Sequence, residues 1–323
     1  MNFSKSYSCL IIGLGQIGMG YDYYLGSDHI SSHAKAFSFH DSFNLIGAVD
    51  PDAKKRKLFE DKYKQPSYRL IEEALSVNQP EVVVIAVPTS EHSSVIKGVL
   101  ALANPMAILC EKPLAYFLEE ASEMVNLCIS NSVELYVNYI RRSAPGAIEI
   151  KRRLSEGEIN KPVTGVVWYS KGFLHNASHF FNLMEYWLGS YNKANIIDTG
   201  RMLGDEDAEP HVVCDFKGGR VTFIPVYEEF YSHYSVDLLC SNGRISWEKD
   251  RLTWQSIKTE KNKPDYKGLS DTVEIIPSGM DQYQNHVVEQ LALTLRHQPT
   301  SICTAVEALT TLKSMTEIIG RKI

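Results

Sequence analysis

Paired cysteines are missing from this sequence. Its 6 cysteines, at positions 9, 110, 128, 214, 240 and 303, are scattered and form no CxxC spacing. Isolated thiols fit a reducing compartment better than a disulfide framework or a zinc site. Long apolar runs are missing too. The most apolar stretch, 82–88, is far short of the roughly 20 residues a spanning helix needs, and the uncharged stretch 98–110 contains Asn104 and Pro105. The apolar run 9–12 stops at glycine, too soon for the apolar core of a signal peptide. A cytoplasmic protein without membrane attachment is the expectation. There is no excess of basic residues: 33 Lys and Arg stand against 39 Asp and Glu, for a formal charge of -6. Such a chain has no long-range attraction to nucleic acid or anionic lipid, so neither is expected as a partner. Repeats, low-complexity tracts and Pro/Gly/Ser linkers are also absent, so any domain boundary should be tight.

What is present is ordinary globular material: 323 residues, 44% apolar and 22% charged. At about 150 residues per domain the length suggests two domains. In the first third, continuous apolar runs at 7–12, 43–49, 82–87, 106–110 and 134–138 alternate with helix-like segments at 52–63, 71–77 and 91–103. Continuous runs fit strands covered on both faces, and the alternation predicts a doubly wound α/β domain. The spacing of Leu114, Phe117, Leu118, Ala121, Met124, Val125, Cys128 and Ile129 predicts a helix over 114–129. After about residue 140 the pattern changes. Residues 145–156 and 179–188 read as helices, 163–171 as extended chain, and 193–276 mostly as strands. Val236 and Leu238 alternate with Asp237 and Leu239, and Val221 and Phe223 with Thr222 and Ile224, as in an antiparallel sheet with one face on a core. Helices near 281–297 and 304–320 finish the chain.

Gly13-Leu-Gly15-Gln16-Ile17-Gly18 places GxGxxG directly after the first strand. Gly13 permits the tight turn. Gly15 lets backbone N–H groups approach a pyrophosphate. Gly18 brings the following helix close, and its N-terminus adds positive potential. Gln16 and Ile17 complete the cofactor-binding turn. Asp50 ends the next strand and can accept hydrogen bonds from the adenosine ribose. It lies 32 residues after Gly18, further than the usual ~20 from the motif, and the insertion-like segment 21–33 accounts for the excess. A carboxylate there repels a 2′-phosphate, so NAD is the expected cofactor. The run Lys54, Lys55, Arg56 and Lys57 leaves NADP as the alternative.

Further motifs follow in order. Pro88-Thr89-Ser-Glu-His92 comes after the 82–87 run, Glu111-Lys112-Pro113 after the 106–110 run, and Asn138-Tyr-Ile-Arg-Arg142 after the 134–138 run. This order and spacing resemble the glucose–fructose oxidoreductase, inositol dehydrogenase and rhizopine-catabolism (Gfo/Idh/MocA-type) family. The resemblance is most specific over residues 8–145. It implies a Rossmann domain followed by an α+β domain with a large, mostly antiparallel open-faced sheet that often forms the subunit interface, hence a homodimer or homotetramer. It also implies hydride transfer between nicotinamide C4 and a sugar-like carbon, with Lys112 in the active site. A lysine at the carboxyl end of a parallel strand faces the ligand crevice, where its ammonium can bond the reacting oxygen. Pro88, Thr89, His92 and Glu111 join the cofactor-binding set. His92 can equally cap its helix.

The family's second domain usually carries Asp-x-Gly-x-His-x-x-Asp. The matching segment is 175–182, with His179 kept as general acid/base and His175 and Asn182 in the two Asp positions. Histidine suits that role because its pKa lies near neutrality. His175, Asn176 and Arg142 are the other substrate-binding candidates, although Arg142 can instead pair with an acid near the domain junction. His175 and His179 stand at i, i+4, but no HExxH glutamate or third ligand accompanies them, so no metal is expected. The tyrosines at 21, 23 and 24 can stack on a sugar or simply pack the inserted segment. The resulting expectation is a Rossmann domain over 1–122 and a substrate-binding and oligomerisation domain over 123–323. The expected activity is an NAD(P)-dependent dehydrogenase or reductase acting on CH–OH groups of a carbohydrate-like molecule, including a nucleotide-linked sugar. The rival expectation is a non-catalytic dinucleotide-binding regulator or scaffold of the same fold.

Overall fold

The five apolar runs become parallel strands, β1 (Tyr7–Ile12), β2 (Phe43–Val49), β4 (Val82–Ile85), β5 (Ala107–Cys110) and β6 (Glu134–Val137), and the two-residue β3 (Ser67–Tyr68), which no apolar run marks, joins them. The computed structural model describes residues 5–204, 207–260 and 263–320. Two compact units emerge, Met1–Ser143 with Asp281–Thr310, and Ala144–Met280 with Thr311–Ile323. In the first unit the strands lie in the order β3-β2-β1-β4-β5-β6, and the two-residue strand Cys303–Thr304 pairs antiparallel with β6. The order reverses between β1 and β4, which makes their carboxyl ends the switch point where such sheets receive ligands. Every residue of β4 and β5 is fully buried, so these continuous runs are strands covered on both faces.

Helices α1 (His33–Phe39), α2 (Ala53–Tyr63), α3 (Ile71–Val77), α4 (His92–Leu102), α5 (Leu118–Ser130) and α6 (Ile140–Ser143) belong to this unit. α5 buries Ala121, Met124, Val125 and Cys128, the expected face, but starts four residues later than the periodicity predicts. Leu114 and Ala115 are buried ahead of it in irregular chain. The glycine motif does not open a long helix. Gln16–Gly20 forms a five-residue π-turn, and regular helix resumes only at His33. The segment between is built in rather than loose. The fully buried Asp22 carboxylate accepts hydrogen bonds from the Ser31 and Ser32 amides at 2.6 and 2.9 Å. The Tyr23 hydroxyl donates to the Leu58 carbonyl at 3.0 Å, so this ring packs the insert onto α2, whereas Tyr21 and Tyr24 are exposed.

The unit also takes in the late helix Tyr283–Leu295. Its Val287, Val288, Leu291, Ala292 and Leu295 join the core formed by Tyr7, Phe37, Phe43 and Tyr136. The expected division at residue 122 falls inside α5, and the unit runs on to Ser143 and includes 281–310. The physical reason is that β6 extends this sheet and the late helix completes its core.

The second unit is built on β7 (Val163–Tyr169), β8 (Tyr191–Asp198), β9 (Met202–Leu203), β10 (Asp207–Ala208), β11 (His211–Phe216), β12 (Gly219–Pro225), β13 (Ser235–Cys240), β14 (Gly243–Glu248), β15 (Arg251–Glu260), β16 (Lys263–Leu269) and β17 (Glu274–Pro277). The large sheet runs β16-β15-β14-β13-β7-β12-β11-β8, with β17 on β15, and among the described residues only β7 and β12 pair in parallel. Val167, Val236 and Trp247 meet across neighbouring strands and all point to the buried face. Helices α7 (Pro145–Glu156) and α8 (Ser178–Leu188) belong to this unit. Phe181 of α8 packs against Phe216 and Phe223, and the Trp187 indole donates to the Ala147 carbonyl at 2.9 Å. None of the 6 cysteines forms a disulfide, and no helix among the described residues is long and apolar enough to cross a membrane.

Two of the motif glycines differ in what they tolerate. A Cβ on Gly18 would lie 2.1 Å from the Gly13 carbonyl oxygen, whereas one on Gly15 would meet nothing within 4 Å. Gly18→Ala is expected to lower the thermal midpoint by roughly 5–10 °C, since backbone must move to admit the methyl. Gly15→Ala should leave it within about 2 °C, because Gly15 already has a φ of -69°. Differential scanning calorimetry of both variants checks the contrast.

Candidate dinucleotide and catalytic site

The site begins where β1 ends. Gly13 takes a φ of +101°, and a Cβ there would sit 2.5 Å from the Ala86 carbonyl oxygen. Only glycine brings the two turns this close. The Gly13 amide bonds the Val49 carbonyl at 2.8 Å, and the Leu14 amide bonds Asp50 Oδ2 at 2.8 Å. Asp50 Oδ1 accepts from the Asp52 amide at 2.8 Å. Asp50 therefore braces the glycine turn as well as ending β2. A carboxylate has about four acceptor positions, so each oxygen keeps capacity for a ribose hydroxyl. The residues fit a dinucleotide: a Cβ on Gly15 would meet nothing within 4 Å, and in the same turn Gln16 is exposed and Ile17 half-buried. Lys55 Nζ is 3.7 Å from Asp50 Oδ2, while Arg56 donates to the Asp50 and Pro51 carbonyls at 2.8 and 3.0 Å. Part of the basic run is thus tied to this strand end.

Pro88 is exposed after β4 and Thr89 is buried in the short turn that follows. His92 opens α4 and is almost wholly buried. Its Nδ1 lies 3.0 Å from the Leu114 carbonyl and its Nε2 3.2 Å from the Val87 carbonyl. The ring straps the loop after β4 to the loop after β5, so both nitrogens face backbone rather than a dinucleotide. Burial pushes its pKa below the usual histidine value, against the pull of the two carbonyls.

Glu111 and Lys112 leave the carboxyl end of β5, where the Glu111 amide bonds the Ile85 carbonyl at 3.0 Å. Glu111 Oε1 accepts from His33 Nε2 at 2.7 Å and from Asn138 Nδ2 at 2.6 Å. Burial pushes this carboxyl up, but the hydrogen bonds and the charges of His33 and Lys112 outweigh it and hold the group below the usual carboxylate range. Arg142 is turned inward. Its Nε donates to the Ser301 carbonyl at 2.8 Å and its terminal nitrogen pairs with Glu307. The ion-pairing role is the one the structure displays. Burial raises the Glu307 carboxyl, yet Arg142 and the Thr304 amide keep it below the usual range.

In the second unit, His175 and Asn176 lie in the π-turn Phe173–Ala177 and His179 lies in the first turn of α8. Asp207 holds the turn: its two oxygens accept from the Leu174 and His175 amides, each at 2.8 Å. A Cβ on Gly172 would lie 2.0 Å from Asp207 Oδ2, so the approach requires glycine. Asn176 Nδ2 donates to the Ser170 carbonyl at 2.8 Å. His175 is exposed, Asn176 half-buried and His179 buried. Asn182, in the position of the family's second Asp, donates to Thr311 Oγ1 at 3.0 Å and serves packing. Among the described residues no three His, Cys, Asp or Glu side chains gather as a metal site.

The structure therefore brings together Gly13, Gly15, Gln16, Ile17, Gly18 and Asp50 in one turn system. It sets Pro88, Thr89, Glu111 and Lys112 at the neighbouring strand ends of the same sheet. It groups His175, Asn176 and His179 on one π-turn and helix start. Sequence reasoning missed His33 and Asp207. Neither lies in a motif, and the one available signal was that His33 ends the inserted segment 21–33.

Residues 7–139 match the model of an oxidoreductase family with an NAD-binding Rossmann fold. The chain is 31% identical over 165 residues to scyllo-inositol 2-dehydrogenase (NAD+) of Bacillus subtilis, a stretch covering 51% of this chain and 43% of that protein. It thus spans under half the length of that curated relative. The WlbA dehydrogenase of Bordetella pertussis, solved with NADH and UDP-GlcNAcA, superposes with a TM-score of 0.74 at 15% identity, covering 98% of this chain. An oxidoreductase from Agrobacterium radiobacter, solved with NAD+, L-tartaric acid and magnesium, gives 0.71 at 16% identity, covering 96% of this chain and 94% of that one. At these identities the likeness is one of fold. Residues 7–139, which hold the glycine turn, Asp50 and Glu111-Lys112-Pro113, are thus similar to the Gfo/Idh/MocA oxidoreductase family with its NAD-binding Rossmann fold.

Proposed function

We propose that this protein is an NAD-dependent dehydrogenase or reductase acting on a CH–OH carbon of a carbohydrate-like molecule. The observation that carries the reading is the switch point of the first unit. There an open glycine cradle, a braced Asp50 and the Glu111-Lys112 strand end share one edge of a β3-β2-β1-β4-β5-β6 sheet. The backbone of 13–18 and the Asp50 carboxylate would hold the dinucleotide, whose nicotinamide C4, when bound, accepts or donates the hydride. Oxidation of an alcohol also releases a proton from its hydroxyl. Lys112 donates a hydrogen bond to the reacting oxygen and stabilises the negative charge that develops there. His179 takes that proton in oxidation and returns it in reduction. His175 and Asn176, on the turn held by Asp207, supply donors and acceptors for neighbouring hydroxyls. The inositol dehydrogenase and the UDP-sugar-bound neighbour support a polyol, a sugar or a nucleotide-linked sugar as substrate class.

Self-association as a homodimer or homotetramer through the large sheet is the second part of the proposal. The face opposite its aromatic core carries the exposed Trp168 and Leu239 beside the Arg244–Asp237 ion pair. A sheet face with large exposed apolar groups is a natural contact between copies.

Lys112→Ala is expected to cut turnover by about 10²–10⁴-fold while the NAD+ dissociation constant stays within about threefold. Absorbance at 340 nm with inositols, aldoses and UDP-linked hexosaminuronates, paired with titration calorimetry, tests this. Full activity of the variant, or NAD+ binding without turnover on any class, overturns the reading. Gly15→Ala should weaken NAD+ binding about tenfold or more, because its methyl occupies the cradle while the fold stays intact. Trp168→Glu should lower the mass measured by light scattering to that of the single chain.

A further inference from the structure

Behind the strand end that carries Lys112 lies a buried polar chain linking His33, Glu111, Asn138 and Gln284. The His33 side chain is completely buried and Glu111 keeps 12% exposure. Glu111 Oε1 takes both the His33 and the Asn138 hydrogen bonds, and Asn138 Nδ2 also reaches Gln284 Oε1 at 3.3 Å. The Asn138 amide bonds the Cys110 carbonyl at 2.8 Å, so β6 grips the same strand end through its backbone. His33 Nδ1, Asn138 Oδ1 and Gln284 Nε2 are buried without a protein partner among the described residues. Apolar residues of similar size would fill this space without such unsatisfied atoms, so packing alone does not account for the chain.

His33 is itself held with care. It is the first residue of α1, whose N-cap Ser32 accepts from the Lys35 amide, and Ser32 is pinned by the Asp22 carboxylate. The inserted segment thus ends by delivering one imidazole against Glu111. Against an ionised Glu111, whose oxygens only accept, the bond is made by the His33 Nε2–H.

We propose that His33 is a positioning residue for the Glu111–Lys112 pair: its Nε2–H holds the Glu111 carboxylate turned into the unit, and the fixed carboxylate sets the backbone from which Lys112 acts. The inference rests on the reading of Lys112 as the group that binds the reacting oxygen. The charged and titratable groups around Glu111 are His33 on α1, Lys112 and Cys110 on its own strand end, His92 on α4 and Tyr283 on the late helix. His33 supplies the largest of the effects that lower the Glu111 pKa. Its loss therefore moves protonation of Glu111 to higher pH.

The test compares His33→Gln, which keeps a donor near the Nε2 position, with His33→Phe, which fills the space without one. Turnover is followed across pH with NAD+ and whichever of the sugar classes above reacts fastest, and NAD+ binding is measured by calorimetry. His33→Phe should lose up to about a hundredfold in kcat with little change in KM for NAD+, and the acid limb of its kcat/KM profile should move to higher pH. His33→Gln should restore most of kcat and the wild-type acid limb. Equal losses in both variants, or a His33→Phe enzyme with wild-type kcat and pH profile, overturn the proposal. Lys112→Ala in the same assay separates the two readings. If that variant is active, the role of Lys112 fails; if it is inactive while His33→Phe is normal, only the role of His33 fails.

Discussion

The first unit depends on one close approach between two turns. The turn after β1 passes so near the turn after β4 that a single methyl on Gly13 would strike the Ala86 carbonyl. Gly18 then returns over the Gly13 carbonyl with equally little room. Those contacts hold the switch point open at its carboxyl edge. The Asp50 carboxylate locks the arrangement by bonding the Leu14 amide. Gly15 alone among the three faces empty space, and that asymmetry separates the glycines that make the turn from the glycine that leaves room for a ligand.

Around this edge, polar side chains do structural work that their positions in motifs do not reveal. His92 sets its two ring nitrogens against backbone carbonyls of two loops and, when neutral, donates to one of them. Arg142 spends its guanidinium on Ser301 and Glu307. Asp207 spends both oxygens on the amides of the turn that carries His175. In each case a buried polar group is satisfied by fixing irregular chain. Such chain gains no stability from helix or sheet ladders, so specific side chains must set its shape. Glu111 combines the two tasks, since the bonds that fix it also keep it ionised in spite of burial.

Much of the fold was legible. β1 and β2 have the bounds their apolar runs predict, and the runs at 82–87, 106–110 and 134–138 are strands shortened by one or two residues. The mostly antiparallel sheet follows from alternation at Val221, Phe223, Val236 and Leu238. The helix expected after the glycine motif is instead a π-turn, because the inserted segment returns through the buried Asp22 before helix resumes. The start of α5 moved from 114 to 118 because Leu114 and Ala115 are buried without being helical, and periodicity cannot tell those conditions apart.

Sequence alone determined what depends on neighbours in the chain: strand and helix periods, the glycine turn with its Asp50, and the place of Lys112 after a buried strand. Tertiary structure decided what depends on distant residues. It brought the helix at 283–295 onto the first sheet, where its apolar face completes a core begun by Tyr7 and Phe43. It set His33 against Glu111, 78 residues away, and Asp207 against the His175 amide, 32 residues away. Local pattern encodes which face of an element is apolar. It does not encode which distant donor meets a buried acceptor, because that pairing is selected only once the core has closed and every buried polar group must find a partner or go without.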